Sequence, residues 1–210
     1  MIPFVYTEKP WLVLLSCIIA YLLGSVSSGL IVADKAKGPD LRKVGSGNTG
    51  ASNVQRTMGW KFGLITFWGD ALKGVLACFI AELITGDHMA CLAAGLCAII
   101  GHNWPIYYGF RGGKGVAASC GVLLYCFWWQ AIICFVITIA LIALVRYISL
   151  GSMFLLVSYA ILVSLTYPGE WKLFVVIWAV LMAVICIARH HANIVRLIQG
   201  KENKLGKKVS

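Results

Sequence analysis

A glycine-rich segment, residues 44–53, reads Val-Gly-Ser-Gly-Asn-Thr-Gly-Ala-Ser-Asn and lies between two long apolar runs. Glycines free a backbone to point several N–H groups at one spot, and here they are Gly45, Gly47 and Gly50. Neutral polar side chains lie among them: Ser46, Asn48, Thr49, Ser52 and Asn53. Basic residues flank the segment: Arg42, Lys43 and Arg56. The pattern predicts a surface for an anion of phosphate size, although this loop alone leaves open a flexible polar connector.

A second glycine cluster, residues 109–115, reads Gly-Phe-Arg-Gly-Gly-Lys-Gly and immediately precedes an apolar stretch. If that stretch is a helix, the amides of the cluster open its N-terminus, which favours anions. The glycines that surround Lys114 are Gly112, Gly113 and Gly115. The cluster is not a nucleotide-binding P-loop, because Gly115 stands where Ser or Thr must follow the lysine. Its basic residues are also typical of membrane anchors, which is the alternative for Arg111 and Lys114.

A third polar cluster, Arg-His-His-Ala-Asn at residues 189–193, closes the last apolar run. A three-residue spacing places His190 and Asn193 on one helix face, whereas His191 points elsewhere. A weaker fourth signal is Ser149, which follows Arg146, and a helix cap is its alternative role. Polar residues that merely end a membrane span are the alternative for the third cluster.

Two charged residues, Asp70 and Lys73, lie one helical turn apart inside an apolar run. Charges inside a membrane are costly and usually face a polar interior, so they are functional candidates. Their spacing also permits a mutual ion pair, which is the role that we favour. His102, in Gly-His-Asn-Trp-Pro, is predicted to lie at a helix end broken by proline.

The composition defines the elements that must position these clusters. Hydrophobic residues make up 60% of the chain, charged residues 12%, and the mean hydropathy is +0.85, far from the soluble average of about 25% charged residues. We predict an all-α polytopic membrane protein with a single domain over residues 1–210. The apolar runs mostly match the roughly 20 residues that cross a bilayer; they are residues 11–33, 62–81, 88–110, 115–145, 148–167 and 173–188.

The run at residues 115–145 is too long for one crossing, so hydropathy alone leaves six or seven. Seven crossings place fifteen basic residues on one side against two, whereas six give nine against eight. Because basic residues favour the cytoplasmic side, we predict seven transmembrane helices, with a turn near Trp128-Trp129-Gln130. The amino terminus is then outside, the carboxyl terminus is cytoplasmic, and all four polar clusters share the cytoplasmic face.

The net charge of +10 would attract anionic lipids or phosphorylated solutes to that face. Nucleic acid is a poor alternative, because the basic residues are scattered over short loops. The eight cysteines lie in apolar segments without a paired ligand spacing such as C-x-x-C. We therefore predict neither a metal nor a disulfide framework.

Taken together, these residues resemble a family: the bacterial membrane acyltransferases that move a fatty acyl group from acyl phosphate to glycerol 3-phosphate. The resemblance covers nearly the whole chain. It is carried by residues 41–54, 70–74 and 112–117, by Gly101-His102, and by Arg189-His190 with Asn193. It implies a multi-pass enzyme of the bacterial plasma (inner) membrane, with its active site towards the cytoplasm. The implied products are lysophosphatidic acid and inorganic phosphate, in the first acylation step of phospholipid synthesis.

The resemblance also assigns site residues. The catalytic set is Ser46, Arg56, Lys114, His190 and Asn193. The substrate-binding set is Gly45, Gly47, Asn48, Thr49, Gly50, Asn53, Gly112, Gly113, Gly115 and Ser149. The family's third motif often carries Glu before its Asn, where this chain has Ala192. We expect acyl phosphate, sn-glycerol 3-phosphate and membrane lipids as partners, no cofactor, and a monomer.

Acyl phosphate is a mixed anhydride, so its carbonyl is already activated and the protein's main task is placement. Holding two phosphorylated molecules in attack geometry can supply roughly 7–11 kcal/mol of barrier reduction. His190 is the candidate base, and a substrate phosphate is the alternative proton acceptor. Two rival functions remain at this stage. One is a transporter for an organic phosphate, and the other is a structural protein that gathers anionic lipid.

Overall fold

The computed structural model describes residues 9–206, and within that range all regular structure is helical. The helices are α1 (Pro10–Ser25), α2 (Ser28–Lys35), α3 (Ala51–Met58), α4 (Trp60–Thr85), α5 (His88–Asn103), α6 (Val116–Cys126), α7 (Trp128–Val145), α8 (Ile148–Thr166), α9 (Lys172–Arg189) and α10 (His191–Ile198). A 3-10 turn covers Ile106–Tyr108. The described chain forms two compact units that divide between Cys126 and Phe127. The grouping of residues 1–210 into one domain stays a prediction.

Six helical segments in residues 9–206 are long and apolar enough to cross a membrane: Pro10–Lys35, Trp60–Thr85, His88–Tyr108, Trp128–Val145, Ile148–Thr166 and Lys172–Arg189. The predicted membrane class is therefore confirmed. The seventh predicted crossing corresponds to α6, which has 11 residues and spans only about 16 Å at about 1.5 Å per residue. Phe127 separates α6 from α7, next to the predicted turn. The number seven and the orientation of the termini stay predictions.

Small residues let the helices of the first unit approach closely. A Cβ added at Gly24 of α1 would lie 2.1 Å from the carbonyl oxygen of Ala98 in α5. Around this contact, alanines from three helices form a buried cluster: Ala20, Ala77, Ala81, Ala94 and Ala98. Close backbone approach through small residues is the usual way in which helices associate in lipid.

The short helix α6 packs against only part of α4. A Cβ at Gly74, near the middle of α4, would lie 2.3 Å from the carbonyl oxygen of Ala118, in the first turn of α6. At the other end of α6, Cys126 Sγ lies 4.0 Å from Cys78 Sγ, one turn farther along α4. The two helices therefore run in the same direction, and α6 begins beside the middle of α4. Gly113 and Gly115 of the loop before α6 are buried within the first unit.

The second unit packs α7 against α8 and α8 against α9. Its core includes edge-to-face aromatic contacts: Tyr159 and Trp178 have ring centroids 6.3 Å apart, and Phe127 contacts both Tyr167 and Trp178. The outer faces remain apolar; Leu144 is 82% exposed and Leu165 is 75% exposed. Large exposed apolar side chains along whole helices are what a lipid environment requires.

We expect Gly74→Val to destabilise the protein, because its side chain would collide with the backbone of α6. Overpacking of this kind typically costs about 1–3 kcal/mol of stability. Each kcal/mol lowers the unfolding temperature of a chain of this size by roughly 2–4 °C. Thermal unfolding in detergent measures the change. Leu72→Val is the matched control, since Leu72 is 56% exposed on the same helix. Equal unfolding temperatures for both variants would contradict the packing of α4 on α6.

Candidate functional site

The first glycine-rich loop is folded around the side chain of Asn53, which is 2% exposed. Its amide nitrogen donates to the carbonyl oxygens of Leu41, Val44 and Asn48 at 3.2, 3.2 and 2.8 Å. Its amide oxygen accepts the backbone N–H of Ser46 at 2.9 Å. Asn53 thus holds the shape of the loop, a role that the sequence prediction of a substrate ligand did not include.

Two glycines of this loop adopt left-handed backbone conformations that favour glycine. Gly45 has a φ of +60°, and a Cβ there would lie 2.3 Å from Asn53 Oδ1. Gly47 also has a positive φ, of +70°. Gly50 caps α3 with no side-chain hydrogen bond, so the first amides of that helix are directed at the loop without a capping side chain. Ser46 is exposed and Arg56 is half-buried one turn into α3.

The second glycine loop rests on the C-terminal end of α5, where His102 and Asn103 are buried. The N–H of Gly113 donates to the carbonyl oxygen of His102 at 3.0 Å. A Cβ at Gly113 would lie 1.9 Å from His102 Nε2, and one at Gly112 would lie 2.2 Å from the His102 carbonyl oxygen. Only glycine permits this approach, which fixes the backbone immediately before Lys114. The prediction that His102 lies at a helix end is confirmed.

Asn103 was not identified as a site residue from the sequence. Its side chain is completely buried, and a Cβ at Gly115 would lie 2.9 Å from its amide oxygen. Neither amide atom has a hydrogen-bond partner among residues 9–206. Buried amides usually are hydrogen-bonded, so Asn103 offers unused polar capacity beside the second loop.

The charged pair inside α4 forms the predicted ion pair. Lys73 Nζ lies 2.9 Å from Asp70 Oδ1, and the two side chains are 5% and 1% exposed. Lys73 also donates to the carbonyl oxygen of Val26 at 2.6 Å. Val26 lies where α1 ends and α2 has not begun, so Lys73 satisfies a carbonyl that the helix break leaves without a helical partner. On the other side, Asp70 Oδ1 lies 3.6 Å from His102 Nδ1.

Each glycine loop is linked to the same part of α4 through one intervening residue. Gly29 at the start of α2 separates the first loop from α4: a Cβ there would lie 1.9 Å from the Thr49 carbonyl oxygen and 3.3 Å from Thr66 Cγ2. Thr66 lies one helical turn before Asp70, which contacts His102 beneath the second loop. The two loops of the first unit, which are far apart in sequence, are therefore linked to neighbouring residues of α4, the first through Gly29 and the second through His102.

In the second unit, the third cluster places both of its predicted residues in buried positions. His190 is 2% exposed and Asn193 is 3% exposed, whereas His191 is exposed. His190 Nδ1 lies 2.8 Å from the carbonyl oxygen of Cys186. In the neutral ring Nδ1 therefore carries the proton, and Nε2 is the nitrogen that can accept one.

A carboxylate from the C-terminal tail, Glu202, joins two of the predicted site residues. Its Oε1 accepts from Asn193 Nδ2 at 2.7 Å and from Ser149 Oγ at 3.0 Å. Its Oε2 accepts from Arg196 Nε at 2.8 Å. The sequence indicated that a carboxylate common in the family is missing at Ala192, but it did not indicate that Glu202 lies beside Asn193. Its only sequence signal was a single acidic residue in a basic tail.

The tail reaches this position because it docks on the turn between α7 and α8. Leu205 N–H donates to the Arg146 carbonyl oxygen at 2.6 Å, and Lys204 Nζ lies 5.7 Å from the ring centroid of Tyr147. Burial raises the pKa of Glu202, but hydrogen bonds from Asn193, Arg196 and Ser149 outweigh it, so the net pKa is below the usual glutamate value. Glu202 is therefore ionised at neutral pH.

The fold and these clusters define a class: an integral membrane protein, helical throughout its regular structure in residues 9–206, with two glycine-rich loops that carry basic residues. The family model described as glycerol-3-phosphate acyltransferase matches residues 14–200. The chain belongs to this glycerol-3-phosphate acyltransferase family, and it is an acyltransferase of phospholipid synthesis. The rival readings as a transporter or a lipid-gathering structural protein are therefore set aside.

Relatives and solved structures agree with this assignment. Glycerol-3-phosphate acyltransferases of Halalkalibacterium halodurans and Shouchella clausii are 44% and 45% identical; the matches cover 96% and 90% of this chain and 98% and 93% of theirs. The crystal structure of PlsY, an integral membrane glycerol 3-phosphate acyltransferase, in its glycerol 3-phosphate form is 38% identical, with a TM-score of 0.84. That match covers 92% of this chain and 96% of PlsY. The lysophosphatidic acid form has a TM-score of 0.82 and 37% identity, and covers 92% of this chain and 95% of its own.

We expect removal of both charges of the buried pair Asp70 and Lys73 to destabilise the protein less than the two single removals added together. Asp70→Asn or Lys73→Met alone leaves one charge without its counter-ion, which typically costs about 3–5 kcal/mol. The double variant removes both charges, so it should be more stable than the sum of the single losses predicts. Thermal unfolding of the four proteins in detergent gives the coupling. Strictly additive losses would contradict a stabilising ion pair.

We expect Glu202→Gln to change how stability depends on pH. Because the folded pKa of Glu202 is lowered, its contribution is complete above the ordinary glutamate pKa of about 4.3 and is lost as the pH falls through the folded value. The wild type should therefore lose more stability on acidification than the variant. Unfolding temperatures measured from neutral to acidic pH test this, with Glu170→Gln as a control at an exposed position. Parallel pH profiles would contradict it.

Proposed function

We propose that this acyltransferase uses acyl phosphate as donor and acylates the 1-hydroxyl of sn-glycerol 3-phosphate. The observation that carries the proposal is that two glycine loops are linked to neighbouring residues of α4, one through Gly29 to Thr66 and the other through His102 to Asp70. Each loop has a backbone fixed by buried asparagine or histidine contacts, and each carries a polar or cationic side chain, Ser46 or Lys114. Two phosphate-bearing substrates need two such surfaces. An acyl thioester donor would place only one phosphate, that of glycerol 3-phosphate, at the reacting centre.

In this reaction the glycerol 1-oxygen forms a bond to the acyl carbon, and the bond from that carbon to the phosphate oxygen breaks. Inorganic phosphate leaves, and lysophosphatidic acid is the other product. Ser46, the loop amides and Lys114 hold the acyl-phosphate headgroup, while Arg56 binds a phosphate through its planar fork of donors. The buried amide of Asn103 supports a polar group at the second loop, because it has unused hydrogen-bonding capacity there.

His190 and Asn193 orient glycerol 3-phosphate or the tetrahedral oxyanion. The Nδ1 contact of His190 with the Cys186 carbonyl supports Nε2 as the acceptor of the hydroxyl proton. The alternative acceptor is a phosphate oxygen of the substrate. Ser149 and Asn193 are both held by Glu202, so the tail carboxylate supplies the negative charge that Ala192 does not.

The acyl chain has a matching apolar surface in the second unit. A groove of about 370 Å³ between α8 and α9 is lined almost entirely by aliphatic side chains, among them Val157, Ile161, Val180 and Val184. It is lined by residues 157–165 of α8 and 180–187 of α9, about half of each helix. We propose that it binds hydrocarbon chains of acyl groups.

We also propose seven crossings, with the amino terminus outside and the site on the cytoplasmic side of the bacterial plasma membrane. Helix α6 starts beside the middle of α4 and runs parallel to it, so 11 residues are enough to reach the end of α4 from that depth. The loop of residues 109–115 supplies the rest of that crossing. The fifteen-to-two distribution of basic residues supports the orientation.

The variants Ser46→Ala, Arg56→Lys and Lys114→Met should each lower kcat/KM with palmitoyl phosphate by roughly 100-fold or more, the usual effect of losing one transition-state donor. The assay is phosphate release that depends on glycerol 3-phosphate, with lysophosphatidic acid measured in parallel and palmitoyl-coenzyme A as a rival donor. Lys61→Met, at an exposed lysine beyond the loop, is the control. Turnover with the thioester alone would overturn the donor assignment, and normal rates in all three variants would overturn the site.

A further inference from the structure

A group of three metal-ligand residue types lies at the turn that joins α4 to α5. The carboxylate of Glu82, the imidazole of His88 and the thiol of Cys91 have ligand atoms that all lie within 4.8 Å of one another. Cys91 is fully buried, whereas Glu82 and His88 are half-buried. The group is therefore reachable from solvent on one side and closed by protein on the other.

The local backbone fixes these three positions. Gly86 adopts the left-handed conformation, with a φ of +67°, and ends α4 one turn after Glu82. The side chain of Asp87 then caps α5 by accepting the N–H of Met89 at 2.8 Å. His88 and Cys91 are three residues apart in the first turn of α5, so they share a helix face. The sharp turn directs that face towards Glu82.

We propose that Glu82, His88 and Cys91 form a binding site for a divalent transition-metal ion of the zinc type. Oxygen, imidazole nitrogen and thiolate sulfur together match the ligand preference of Zn²⁺, and they disfavour Mg²⁺ and Ca²⁺, which take oxygen ligands. Three protein ligands leave a fourth tetrahedral position for a solvent molecule. The site involves none of the residues placed in acyl transfer, so it is independent of the proposed function.

The distances suit such an ion. Cys91 Sγ lies 3.9 Å from Glu82 Oε2, with the thiol hydrogen directed at the carboxylate. Bonds of about 2.3 Å to sulfur and about 2.0–2.2 Å to oxygen place tetrahedral ligands roughly 3.5 Å apart. A metal ion thus takes the place of the thiol proton, which is released to solvent. The thiolate and the carboxylate then balance the two positive charges, so the bound site is neutral, as a partly buried location requires.

Neighbouring groups already orient the ligands as outer-shell groups do in metal sites. His88 Nε2 lies 3.2 Å from the carbonyl oxygen of Cys126. The hydroxyl of Tyr125 donates a short hydrogen bond to Glu82 Oε2. Both partners lie at the end of α6, so the packing of α6 on α4 also builds this site. Two further cysteines, Cys78 and Cys126, are nearby, with their sulfurs 4.0 Å apart, and they are the rival thiols that a test must separate.

The test is a titration of the purified full-length protein with Co²⁺, in detergent and without an affinity tag, after reduction of all thiols. We expect one equivalent of Co²⁺ to produce a thiolate charge-transfer band in the near ultraviolet, which Zn²⁺ abolishes and Mg²⁺ does not. Cys91→Ser should remove the band. Glu82→Gln and His88→Asn should each weaken Co²⁺ binding more than 100-fold, and Tyr125→Phe should weaken it roughly 10- to 100-fold.

The matched controls are Cys97→Ser, on the same helix, and His191→Asn, an exposed histidine in the other unit. Both should bind Co²⁺ as the wild type does. Retained glycerol-3-phosphate acyltransferase activity shows that each variant is folded. No band in the wild type would overturn the proposal. A band that survives Cys91→Ser would also overturn it. If Cys78→Ser or Cys126→Ser then removes that band, the metal is bound by the other thiol.

Discussion

The constraint on which this structure depends is that lipid offers no water to hydrogen-bond a backbone that leaves the helix. The chain nevertheless leaves it at Val26 and across both glycine loops, and hydrogen bonds from buried residues are present at each departure. Lys73 binds the Val26 carbonyl, and Asn53 engages three carbonyls and one amide of the first loop. The His102 carbonyl accepts from Gly113. Buried polar residues therefore supply hydrogen bonds where the backbone leaves the helix.

Glycine and alanine allow the close packing of the helices and loops in the first unit. Small residues bring α6 against the middle of α4 and bring residues 112–115 against the end of α5, where Lys114 is half-buried. Electrostatic attraction between cations and phosphate groups strengthens as water is excluded. The same close packing leaves little freedom for the loop, and this favours fixed placement over flexibility. For the activated donor that we propose, placement is the main contribution a protein can make.

The C-terminal tail supplies the second unit with a buried polar side chain that fixes other polar groups. Glu202 is held by Arg196 and in turn holds Ser149 and Asn193, so one carboxylate fixes two polar groups on different helices. A network of this type is stable only when each member is satisfied. Docking of residues 204 and 205 on the turn between α7 and α8 provides that satisfaction by fixing the tail. The tail is thus a structural part of the second unit.

The sequence by itself determined the membrane class, the places where helices begin and end near Asn103 and Phe127, and the chemical character of the loops. These features follow from hydropathy and from the local preferences of glycine, proline and charge. Only the tertiary structure decided that Asn53 holds its loop, that α6 starts beside the middle of α4, that Glu202 reaches Asn193, and that Glu82, His88 and Cys91 meet. Each of these depends on contacts between residues whose distance in space is not fixed by their spacing in the chain. Glycine illustrates the difference, because its presence in the sequence signals a turn, but the backbone or side chain that it makes room for is defined only by packing.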